Sequence, residues 1–135
     1  MVFLHLQILH LTKSKSRLTN FYWLSNTRLG FSRQPQAGLD AYSMWAINVD
    51  GSKPKELVPG KWEDGYPTGA FLMDRMPNDD KHVLVSYNKR RPKFTDVYKL
   101  NIFSGKLTMV AKDPVIDDQR LITWVIDQQG LVRTN

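Results

Sequence analysis

The chain has 135 residues, enough for one domain of ordinary size, and its 41% hydrophobic and 24% charged residues are those of a folded globular protein, not a disordered one. It contains no cysteine, which excludes a disulfide framework and a thiolate metal site. Net charge is +6, and Lys13, Lys15 and Arg17 supply half of that excess, so the body of the chain is too mildly basic to read as a nucleic-acid-binding protein.

In residues 1–20, "MVFLHLQILHLTKSKSRLTN", an apolar run precedes its positive charges, His5 and His10 interrupt it, and no small-residue cleavage site follows. The run is too short and too polar to span a bilayer. It is expected to be a leader or a residual strand left from a preceding element, and no membrane contact is expected. The compartment, cytoplasmic or periplasmic, stays open.

Strand signals fill the rest. "FYWLSNTRLGFS" (21–32) predicts strand, turn and strand, with Ser25, Asn26 and Thr27 at the turn. "AYSMWAINV" (41–49) alternates Trp45, Ile47 and Val49 on one face, Asp50-Gly51 turns, and "KELV" (55–58) leaves. The Gly/Pro-rich stretch "PGKWEDGYPTG" (59–69) reads as a connector. Next, "AFLMDRM" (70–76) and "KHVLVSYN" (81–88) flank the turn "PNDD". A basic loop, "KRRPKFT" (89–95), leads to "DVYKLNIF" (96–103), Ser104-Gly105 turns, and "KLTMV" (106–110) returns. A two-residue turn there would set Ile102 against Leu107 and Leu100 against Met109. A last hairpin, "LITWVIDQQGLVRTN", would turn at Gln128-Gln129-Gly130.

The pattern repeats. Trp45 and Tyr98 are 53 residues apart, as are Val49 and Ile102, while Gly51 and Gly105 are 54 apart. A period near 50 with about four short strands per copy is the mark of propeller blades. The expected fold is all-β: an incomplete β-propeller of about two and a half blades of four-stranded antiparallel sheet. One blade would span about 21–60, another about 70–114, and a further blade would start at 119–135. Propellers close with roughly 4–8 blades. So few copies cannot seal a ring, and the chain is expected to be a piece of a larger propeller. Its exposed blade edges would favour self-association.

The stretches "MWAINVDGS", "MPNDDKHVLVSYNKR", "DVYKLNIFSGKLTMVAKDP" and "WVIDQQGLVR", together covering most of 23–135, resemble the N-terminal β-propeller of prolyl oligopeptidase-family serine peptidases. TolB-like propellers are the wider relatives. The resemblance implies a non-catalytic cap that gates access of short peptides to an α/β-hydrolase domain. That domain carries the triad, with its serine in a G-x-S-x-G elbow. "GFSRQ" at Gly30 and "DGSKP" at Gly51 do not match the elbow, so no triad position transfers to these residues. The chain alone is expected to hydrolyse nothing. The alternative is a TolB-like module for protein–protein interaction.

Among single residues, His82 shares a strand face with Ser86 but lies too far along it for a hydrogen bond, so neither is read as catalytic. Asp79 and Asp80 lack the calcium-loop pattern and read as turn formers. No metal or cofactor is expected. Trp23, Trp45 and Trp124 fall at strand positions suited to packing between blades. That leaves Trp62, in the connector, and the cations Lys89, Arg90, Arg91 and Lys93 as candidate partner contacts. A solvated loop is the default reading of that run. An acidic partner, or phosphates, would be its functional one.

Overall fold

The computed structural model describes residues 17–34, 40–114, 124–126 and 132–134. They are all-β, with every sheet antiparallel and no helix among them. Strands β1 (Arg17–Trp23), β2 (Arg28–Gln34), β3 (Ser43–Asn48) and β4 (Lys55–Val58) form a four-stranded meander in chain order. A hairpin of β5 (Lys61–Glu63) and β6 (Tyr66–Thr68) follows. Strands β7 (Ala70–Asp74), β8 (His82–Arg91), β9 (Phe94–Asn101) and β10 (Leu107–Ala111) form a second four-stranded meander. Last, β11 (Trp124–Ile126) pairs with β12 (Val132–Thr134). Residues 1–16, the expected Gln128-Gln129-Gly130 turn and the Trp124 side chain lie outside the described residues. β1 takes in residues 17–20, the end of the stretch read as leader or residual strand.

The two meanders share matching hydrogen bonds at corresponding positions. Val49 N–H donates to the Thr27 carbonyl, and 53 residues on Ile102 N–H donates to the Lys81 carbonyl, both at 2.9 Å. Asn48 N–H reaches Ser52 O and Asn101 N–H reaches Lys106 O, so the second turn is one residue longer. Phe31 faces Trp45 and Leu29 faces Ile47 across β2 and β3. Val85 faces Tyr98 and Val83 faces Leu100 across β8 and β9 in the same register.

These matched quartets point to different places. Met44, Ala46, Leu57 and Val58 of the first meander share one buried cluster with Val83, Val85, Tyr98 and Leu100 of the second. Phe31 and Ile47 belong to a separate cluster with Leu18, Leu29 and Trp45. Since side chains alternate along a strand, that cluster lies on the first meander's other face. Corresponding residues therefore face away from the neighbour in the first sheet and toward it in the second. The sheets stack as successive steps in one direction, unlike the two inward faces of a sandwich.

One expected register changes. Leu107 pairs with Leu100, and Met109 with Tyr98, so Ile102 does not face Leu107. Ile102's backbone is committed elsewhere: its N–H bonds Lys81 O, and its carbonyl accepts from Arg28 Nε. Asn101 Oδ1 accepts from the N–H groups of Phe103 and Ser104, which widens the turn, and Gly105 closes it at φ 79°. Side-chain parity survives the two-residue slip, and Ile102 stays buried.

Candidate interaction surface

The stretch read as a connector contains the β5–β6 hairpin. Asp64 and Gly65 both take left-handed backbone, at φ 51° and 78°, as a two-residue type I′ turn requires. The Asp-Gly pair signals this turn. Three-residue strands and Pro67 hide it, because proline demotes a run from strand status. Glu63 lies opposite Tyr66, and Trp62 opposite Pro67. Trp62 and Tyr66 stay exposed at 43% and 42%.

The hairpin is tied to the tip where β8 turns into β9. Asn88 Nδ2 donates to the carbonyls of Pro67 and Pro92, each at 2.9 Å, while its Oδ1 accepts from Gly69 N–H. Lys93 Nζ lies 5.4 Å from the Tyr66 ring centroid, a cation–π distance. Lys89 and Arg91 are exposed on the same tip and, among the described residues, meet no carboxylate. Trp62 and the basic run, 27 positions apart in sequence, thus belong to one end of the fold.

Arg90 differs from its neighbours. Its Nε and a terminal nitrogen both bond the Asp96 carboxylate at 3.0 Å, and that nitrogen also donates to the Asp113 carbonyl. Asp113 N–H closes the loop onto Asp96 Oδ1 at 2.7 Å. The Asp96 side chain is fully buried. Its hydrogen bonds raise the Arg90 pKa above the ordinary arginine value. Arg90 therefore anchors the strand ends from the middle of a run whose other cations are exposed.

At the other end, a cleft of about 500 Å³ opens between the β1–β2 turn and the β7–β8 turn. Arg75 spans it with a 3.2 Å bond to Asn26 Oδ1. His82 Nδ1 is 2.9 Å from Asp79 Oδ2. Asp79 Oδ1 accepts from Lys81 N–H, the local bond expected of a turn former. That bond, with His82, lowers the Asp79 pKa below the usual carboxylate value. No hydrogen bond joins His82 to Ser86. Among the described residues no group of three or more His, Asp or Glu is placed to hold a metal ion.

The tryptophans divide. Trp45 is half-buried against Phe31, with ring centroids 6.3 Å apart. Trp23, expected in packing between units, is 47% exposed because β1 is the edge strand of its sheet. Comparison with protein-family models, with curated proteins and with solved structures finds no match.

Proposed function

We propose that the chain is a run of successive propeller blades from the non-catalytic cap of a prolyl oligopeptidase-like serine peptidase. In this reading it gates the passage of short peptides to an α/β-hydrolase domain. The observation that carries the propeller part is the stacking direction. Corresponding quartets, Leu29, Phe31, Trp45 and Ile47 against Val83, Val85, Tyr98 and Leu100, face one way around, as blades of a ring do. A ring needs about 4–8 such sheets, so further blades come from the same polypeptide or from other copies. The peptidase part rests on the resemblance of the four stretches named above.

A second reading is an interaction module of the TolB-like kind. The exposed aromatic and basic end around Trp62 and Lys89 favours it. Sequencing the DNA on both sides of the reading frame, together with a peptidase assay of the purified chain, tests the two. A downstream segment with a G-x-S-x-G elbow, and no turnover by this chain, supports the cap. A frame that continues only into further meanders transfers the conclusion to the module. Turnover abolished by changing one serine of this chain overturns both.

A further inference from the structure

We propose that the end formed by the β5–β6 hairpin and the β8–β9 tip is a docking surface for an acidic polypeptide segment. The inference goes beyond the cap reading and does not depend on the peptidase relation.

Three observations carry it. Lys61, Lys89, Arg91 and Lys93 are all exposed here, against three exposed carboxylates, Asp40, Glu63 and Asp64. Arg90 and Asp96 neutralise each other, so neither changes this balance. Next, Trp62 exposes a large flat ring on the same hairpin, on the face opposite Tyr66, and tryptophan is a residue type enriched among interface anchors. Finally, the surface is held in shape before any partner arrives. Asn88 fixes hairpin to tip, and Arg90 fixes the strand ends behind them. Preorganisation of this kind reduces the ordering cost of binding.

The same residues favour a polypeptide over a nucleic acid. A continuous phosphate backbone would run against Glu63 and Asp64, whereas a peptide can space its carboxylates to meet the cations. Stacking of successive bases needs several free rings. Lys93 already covers one face of Tyr66, and Trp62 projects from the hairpin's opposite face, so these two rings form no continuous platform.

The test uses the full chain and three labelled probes: a peptide alternating glutamate with phenylalanine, its glutamine counterpart, and a single-stranded DNA of similar length. Fluorescence anisotropy should show the glutamate peptide binding at least about tenfold more tightly than the glutamine peptide. Its affinity should fall as salt rises. The pair K89E/R91E should remove most of that preference. W62A should weaken the peptide about tenfold while its salt dependence persists. All three side chains are exposed, so urea midpoints of the variants should match the parent. Equal binding of the two peptides overturns the proposal, as does full binding by K89E/R91E. Tighter binding of the DNA, indifferent to W62A, also overturns it and turns the surface into a phosphate site.

Discussion

Arg28 of the first meander donates its Nε hydrogen to the carbonyl of Ile102 in the second, at 2.6 Å and across 74 residues of sequence. A terminal nitrogen also donates to Asn48 Oδ1 and to the Lys53 carbonyl, and the guanidinium lies 5.0 Å from the Phe103 ring centroid. The side chain is 1% exposed. Its three hydrogen-bond acceptors are neutral oxygens, and burial lowers its pKa from the ordinary arginine value. The cation is held by neutral oxygens and an aromatic ring, and it ties one sheet to the next.

Arg28→Ala removes the donor to the buried Ile102 carbonyl and to two partly buried acceptors, and should cost about 2–4 kcal/mol of stability. Arg28→Lys should restore little, because an ammonium lacks the planar fork that reaches acceptors on two sheets. Urea titration followed by tryptophan fluorescence measures both. A lysine variant as stable as the parent would show that charge, not fork geometry, joins the sheets.

Within the basic run, the structure separates one residue from its neighbours. Arg90→Ala uncovers the buried Asp96 carboxylate and should destabilise by about 2–4 kcal/mol. Lys89→Ala and Arg91→Ala remove exposed cations and should stay within about 0.5 kcal/mol of the parent. Thermal melts of the three variants at one pH make the comparison. Equal losses in all three would mean that Asp96 finds its counter-charge elsewhere.

Sequence patterns carried the strands well because each depends on neighbours. Alternation in "MWAINV" and the Asp50-Gly51 turn are local facts, and the structure has them where the pattern puts them. The 53-residue period was equally plain, since the repeat conserves hydrophobic spacing. What the pattern hid depends on distant partners. Nothing near Arg28 signals that its acceptor is Ile102, and nothing near Asp96 signals Asp113. The face that Trp45 chooses also could not be read, because alternation fixes which residues share a face but not what covers it. In the candidate surface, the cations and Trp62 were visible singly. Their meeting depends on a hairpin whose strands are three residues long.

Gly30 stands directly opposite Tyr22 across β1 and β2. A Cβ there would run into the Tyr22 ring and come within 3.0 Å of Leu24 Cγ. The glycine is therefore the floor on which the tyrosine lies. Gly30→Ala should destabilise by about 1–3 kcal/mol through overpacking. Combining it with Tyr22→Leu, which removes the ring, should cost less than the sum of the two single changes. Strict additivity in that double-mutant cycle would separate the two residues energetically.

The same burial makes Tyr22 a reporter of alkaline pH. Loss of water around its hydroxyl pushes its pKa up to about 12 from an ordinary value near 10. Below pH 10 both folded and unfolded chains keep the proton, and the contribution is complete. Between pH 10 and 12 the unfolded chain ionises first, so it binds fewer protons than the folded chain and stability falls as pH rises. Two pH units correspond to roughly 2–3 kcal/mol. Burial also raises Tyr87 and Tyr98, and Glu63 adds to the shift at Tyr87, so some alkaline loss belongs to them. Tyr22→Phe should therefore flatten the decline without abolishing it. Urea midpoints collected from pH 9 to 12 on parent and variant measure the difference. A variant that declines as steeply as the parent would place the alkaline sensitivity at the Tyr87–Tyr98 pair, whose rings lie 5.8 Å apart in the core between the two sheets.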